Sequence, residues 1–94
     1  MRKTSDFDEL GSVARALGSE ARLRLIEALR GRCLCVNALA ARLDLTQSAV
    51  SQHLRILKGA GLVRSEKRGY FVHYSLDEVR MRKGRERLSK FLEA

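Results

Sequence analysis

The sequence predicts a mainly α fold carrying one small β-hairpin, and three observations lead there. Apolar residues recur at intervals of three and four in successive runs along most of the chain. Around residues 62–76 the pattern alternates instead, as in strands. The 94 residues include no proline and no low-complexity tract, so residues 1–94 read as one domain with a modest core of Leu, Val, Ile and Ala.

The first helix follows from Phe7, Leu10, Val13, Ala14 and Leu17, which share one face, with Gly18 as its stop. Ser19 is a fitting N-cap for a second, Glu20 to Leu29, whose broad apolar face holds Leu25, Ile26, Ala28 and Leu29; Gly31 ends it. A third, Val36 to Leu43, places Val36, Leu39, Ala40 and Leu43 on one side. The short link Asp44-Leu45 then leads to Thr46, the expected N-cap of a fourth. In that helix Val50, Leu54 and Leu57 stand at i, i+4 and i+7, while Ser48, Ser51, Gln52 and Arg55 fall together on another face. Gly61 supplies a left-handed stop. Two strands follow, Leu62 to Glu66 and Tyr70 to Leu76, joined through Lys67-Arg68-Gly69, with Tyr70, Val72, Tyr74 and Leu76 alternating. The charged remainder, Glu78 to Ala94, reads as a final helix with a break expected at Gly84. Helix, tight turn, helix and hairpin in that order make a winged helix-turn-helix of about five helices plus a two-stranded wing.

Nineteen Lys and Arg against eleven Asp and Glu give a formal net charge of +8, which favours a polyanionic partner over a neutral or acidic one. A solvated basic surface is the bland alternative. The residues after Met1-Arg2-Lys3-Thr4-Ser5 form no apolar stretch, so no signal peptide is expected, and nowhere do about 18 apolar residues run together. A cytoplasmic protein without membrane contact is the expectation. Aromatic residues make up only 5%, too few for the stacking platform that single-stranded RNA recognition uses.

The fourth helix carries the DNA-reading candidates. A recognition helix seats one face on the core and offers the other to base edges; Gln52 suits adenine, Arg55 guanine, and Ser48 and Ser51 either base or phosphate. Gln47 and Ser48 at the helix start lie near exposed backbone N–H groups that anchor phosphate, and Thr46 just before them belongs to the same DNA-binding set. His53 falls between the two faces, as readily a shoulder residue bonded within the domain as a base contact. Lys67 and Arg68 in the wing add a sequence-independent phosphate or minor-groove term.

Several segments together resemble the ArsR/SmtB bacterial repressors: Ala16 to Ile26, Leu39-Ala40 with Leu43, Leu45 to Leu54, and Gly61-Leu62-Val63. The most specific stretch is Thr46 to Leu54, where Gln-Ser, Val-Ser and His-Leu pairs occur at the family's spacing. The resemblance implies a homodimer formed through the terminal helices, about residues 6–17 and 78–92. It also implies binding to a palindromic double-stranded operator and release by an inducer.

That resemblance also implies a thiol metal site at the start of the third helix, where the family has Cys-Val-Cys. Here Cys35-Val36 matches its first half, Asn37 stands at the second Cys, and Cys33 restores a Cys-Leu-Cys pair in shifted register. Thiolates are soft ligands suited to arsenite, cadmium, zinc or copper(I). Two residues apart on a helix, the side chains would diverge by about 200°, so Cys33 and Cys35 can share an ion only on extended backbone. Two ligands leave zinc under-coordinated. Structural apolar residues, a soft metal or metalloid site, and redox or reactive-sulfur sensing therefore all stay open for this pair. The family's other metal site, built from His and carboxylates on the last helix, is expected to be absent, because 77–94 contain no His.

An enzyme is not expected: a cysteine oxidoreductase would need a catalytic His or carboxylate beside the thiols, and none stands near them in sequence. The remaining alternative to an inducible repressor is a constitutive winged-helix regulator. His73, in the second wing strand, reads as a strand residue rather than a ligand.

Overall fold

The computed structural model describes residues 6–93. Five helices and three strands follow in the order α1 (Asp6–Leu17), α2 (Glu20–Ala28), β1 (Leu34–Cys35), α3 (Val36–Leu43), α4 (Gln47–Gly59), β2 (Val63–Arg68), β3 (Phe71–Leu76) and α5 (Glu78–Leu92). The basic start Met1 to Ser5 and the final Ala94 lie outside the described residues.

Local chemistry sets the helix ends. Ser19 Oγ accepts from the Arg22 N–H at 3.3 Å to open α2. Thr46 Oγ1 accepts from the Ala49 N–H at 3.0 Å to open α4, and Asp77 Oδ1 accepts from the Arg80 N–H at 3.0 Å to open α5. Between α3 and α4 the chain reverses on Asp44, which takes the left-handed conformation at φ 55°, one that Asp tolerates better than most residues.

The core lies where α2, α3 and α4 meet. Leu25, Leu29, Leu39, Val50, Leu54 and Leu57 are its largest fully buried side chains, and Leu62, Val63 and Leu76 close it from the sheet side. Each buried Leu contributes about 1.5–3 kcal/mol of transfer free energy. Because Val50, Leu54 and Leu57 all belong to α4, that helix is fixed in rotation as well as position.

The sheet departs from the sequence expectation in two ways. It has three antiparallel strands, ordered β1-β3-β2, where two were expected. The added strand is Leu34–Cys35, paired as Leu34 with Tyr74 and Cys35 with His73. Two residues are too few to show an alternating pattern, so nothing in the sequence announced it. The hairpin also turns later than expected. Arg68 pairs with Phe71, which leaves Gly69 and Tyr70 as a two-residue turn, and Tyr70 belongs to that turn rather than to the strand. Gly69, at φ 63° in the first central position, matches the positive φ that a type II′ hairpin turn requires there.

Helix α5 runs through Gly84 without a break and packs against α1. Gly84 is buried, and a Cβ built there would lie 3.5 Å from Val13 Cγ1, an ordinary contact distance, so the seam between the two helices has room for a methyl group. Arg87 pairs with Glu9 across the same seam. That packing offsets the roughly 1 kcal/mol by which glycine disfavours a helix interior.

Candidate nucleic-acid interface

Helix α4 has two unlike sides. Val50, Leu54 and Leu57 are no more than 1% exposed, whereas Ser48, Ser51, Gln52 and Arg55 are all exposed. At 3.6 residues per turn those four span an arc of about 100°. The stripe is short-chained at one end and ends in a guanidinium, an array of donors and acceptors with no buried partner to satisfy. Gln47 is exposed beside it at the helix start.

Two of the sequence candidates on α4 are engaged within the domain. The Thr46 hydroxyl is the N-cap acceptor. His53 lies about 140° around the helix from Ser48, is half-buried, and its Nδ1 is 3.2 Å from a terminal guanidinium nitrogen of Arg22. Guanidinium has donors only, so Nδ1 accepts and the ring carries its proton on Nε2. Arg22 also donates from Nε to the Ala16 carbonyl at 2.8 Å and from its other terminal nitrogen to the Arg15 carbonyl at 2.9 Å, capping the end of α1. Nothing in the sequence spacing singled out Arg22.

The wing is fastened to α4. Lys58 Nζ donates to Ser65 Oγ at 2.6 Å, and the Leu62 N–H donates to the Leu57 carbonyl at 3.0 Å. Between them Gly61, at φ 80°, turns the chain from helix to strand beneath the Arg80 guanidinium. Lys67 and Arg68 are exposed near the tip, with Arg68 3.3 Å from Glu66 Oε2. Tyr70, at the turn itself, is 99% exposed, and Phe71 and Val72 beside it are exposed as well. Sequence reading missed this turn position of Tyr70; the Gly-X pair of a type II′ turn was the available signal.

Cys33 and Cys35 are free and half-buried. Leu34–Cys35 is an extended strand, and Cys33 precedes it directly. Cys35 is the N-cap residue of α3, but its side chain makes no capping bond. The register places His73 directly across from Cys35 and Glu66 directly across from His73. That corrects the expectation of no His beside the thiols: the residue 38 positions away is brought there by the β1–β3 pairing. His73 Nδ1 is buried without a hydrogen-bond partner. Among the described residues, no three His, Cys, Asp or Glu side chains form a group that could hold a metal ion.

A polar helix stripe set on a buried opposite face, joined directly to a basic hairpin, defines a winged helix-turn-helix regulator. Residues 19–65 match the model of the bacterial regulatory protein arsR family, and the chain belongs to that family. It is 42% identical over 70 residues to the HTH-type transcriptional repressor SmtB of Mycobacterium tuberculosis, covering 74% of this chain and 52% of that one. The chain spans about half the length of such curated relatives. Among solved structures, a possible transcriptional regulator for arsenical resistance superposes with a TM-score of 0.81 at 35% identity, covering 88% of this chain and 86% of that one. The homodimeric winged helix-turn-helix DNA-binding domain of Mb0332 from Mycobacterium bovis shares the fold, with a TM-score of 0.74 at 24% identity over 96% and 90% of the two chains.

Proposed function

We propose that this chain is a cytoplasmic, sequence-specific transcriptional repressor that binds a palindromic operator as a homodimer. The observation that carries this reading is the exposed stripe Ser48, Ser51, Gln52 and Arg55 on a helix whose other side is locked into the core. Such a helix presents its polar face in one orientation, which base readout in the major groove requires. Lys67 and Arg68 supply backbone attraction, and the net charge of +8 supplies the long-range field. Exposed Phe7 on α1 and Val79, Phe91 and Leu92 on α5 give the packed terminal helices an apolar surface suited to a second copy. The homodimeric neighbour of the same fold supports that arrangement.

The test uses duplexes that the chain selects from a random-sequence library. Gln52→Ala or Arg55→Ala is expected to weaken binding by about 1–3 kcal/mol and to relax base preference at one position of each half-site, with the far-ultraviolet circular dichroism unchanged. Unchanged discrimination in both variants would remove the stripe from base readout.

An inducer is part of the same proposal: a thiol-reactive metalloid, soft metal or reactive sulfur species acting at Cys33 and Cys35. The extended backbone between the thiols supports it. A four-ligand zinc site within one chain has too few donors among the described residues, whereas a reagent that needs one or two sulfurs has enough. Cys33→Ser with Cys35→Ser should retain operator binding and lose its response to arsenite, cadmium, copper(I) and persulfide. A double variant that still responds overturns the thiol site, and a wild-type chain that responds to none of them is a constitutive regulator.

A further inference from the structure

We propose that the chain binds a small carboxylate with a short apolar body, in an amphipathic site where α5 meets α1 and the end of α2. Two depressions form it. Between α1 and α5 lies an apolar cavity of about 190 Å³, walled by Val13, Leu17, Leu62, Met81 and Leu88, with Arg85 at its rim. Beside it a wider hollow of about 410 Å³ is edged by Arg30, Arg82, Arg85 and Glu78, with Leu76 and Met81 between them. Met81 and Arg85 line both, so the two depressions adjoin there.

The apolar part is space that the fold leaves unfilled. Gly84 is buried in its wall, and a Cβ there would stand 3.5 Å from Val13 Cγ1 and 3.9 Å from Leu62 Cδ2. Among the described residues, Arg85 is the sole polar side chain lining this cavity. Water inside finds too few hydrogen-bond partners, so a hydrocarbon body gains by taking its place.

The arginines supply the other half. Among the described residues neither Arg82 nor Arg85 has an ion-pair partner, whereas Arg30 is 2.6 Å from Glu27 Oε2. Arg82 and Arg85 stand at i and i+3 on α5, neighbours on the helix surface, and each planar fork matches a carboxylate through two N–H donors. Glu78 on the same edge opposes an anion and opposes a dianion more strongly, which favours the single charge of a carboxylate. Strand β3 sets the site apart from the wing tip. Phe71 adjoins the turn and Leu76 the hollow, five residues or about 17 Å along the strand at ~3.4 Å each. The arginines therefore stand at the opposite end of the sheet from Lys67 and Arg68.

Calorimetric titration of the full chain tests this with hexanoate, using acetate for the head alone and hexanol for the body alone. Hexanoate is expected to bind roughly tenfold more tightly than either. Arg82→Gln with Arg85→Gln should weaken hexanoate roughly tenfold. Arg32→Gln with Arg42→Gln, which removes the same charge from exposed positions elsewhere, should leave it unchanged. Gly84→Ala should weaken hexanoate a few-fold while the thermal midpoint rises, which separates a narrowed cavity from a damaged fold. Wild-type hexanoate affinity in Gly84→Ala or in the Arg82, Arg85 variant overturns the site. Equal losses in the two arginine pairs overturn it as well, by reducing it to general charge attraction. So does displacement of hexanoate by duplex together with a shallower salt slope in the Arg82, Arg85 variant, which would assign those arginines to DNA. A chain that binds no hexanoate and changes only its self-association in that variant would make the face a contact between copies.

Discussion

The Arg22 guanidinium donates to His53 Nδ1 at 3.2 Å while it also caps the carbonyls of Ala16 and Arg15, so one side chain of α2 joins the end of α1 to α4. The arrangement depends on the planar fork, which delivers several N–H donors in fixed directions. Arg22→Ala should cost about 1–3 kcal/mol in urea unfolding, because the part-buried Ala16 carbonyl and His53 Nδ1 lose a charged donor. Arg22→Lys should recover only part of it. Full recovery by lysine would mean that positive charge alone, and not the fork, joins the helices.

Lys67→Ala with Arg68→Ala should lower affinity for every duplex and reduce the slope of log K against log salt by roughly 2, about one per phosphate contact. A titration from low to moderate salt measures it. An unchanged slope would place the wing away from the DNA backbone.

Gly61→Ala should destabilise by about 1–2 kcal/mol, since φ 80° forces a Cβ against the chain's own carbonyl. The new Cβ would also collide with the Arg80 guanidinium, which a flexible side chain can withdraw. Combining it with Arg80→Ala should leave most of the loss in place. Full rescue would show that the collision, rather than the backbone angle, sets the cost.

Gly84→Ala should stabilise by about 0.5–1 kcal/mol, as the helix gains a better former and the unfolded chain loses freedom. The added Cβ meets Val13 at 3.5 Å and Leu62 at 3.9 Å, ordinary contact distances. Gly84→Leu should do the opposite by separating α1 from α5. Thermal unfolding of the two variants decides whether this seam is as open as the geometry indicates; a destabilising alanine would show that it is not.

The helices and caps were legible because each is a local matter. The spacing of Val50, Leu54 and Leu57 and the chemistry of Ser19 and Thr46 act within a turn or two, and the structure puts them where the pattern did. What the sequence withheld depends on pairing at a distance. Strand β1 exists only because β3 offers it an edge, so its two residues carry no signal of their own, and the meeting of Cys35 with His73 was hidden with it. Tyr70 was misread for the converse reason: alternation runs straight through it, and only the pairing of Arg68 with Phe71 shows where the hairpin stops. Gly84 misled because the penalty for glycine is local while the packing of α5 on α1 that outweighs it is not.

The strap from Lys58 to Ser65 also determines which molecule must yield when the two meet. Helix α4 and the wing are held together at the helix end by that bond, by the Leu62 N–H on the Leu57 carbonyl and by the buried Leu62 and Val63. They form a calliper with a set opening. On the DNA-binding reading, a duplex whose grooves are spaced otherwise must itself bend or twist to fit, so selection would extend to the stiffness of base steps that no side chain touches.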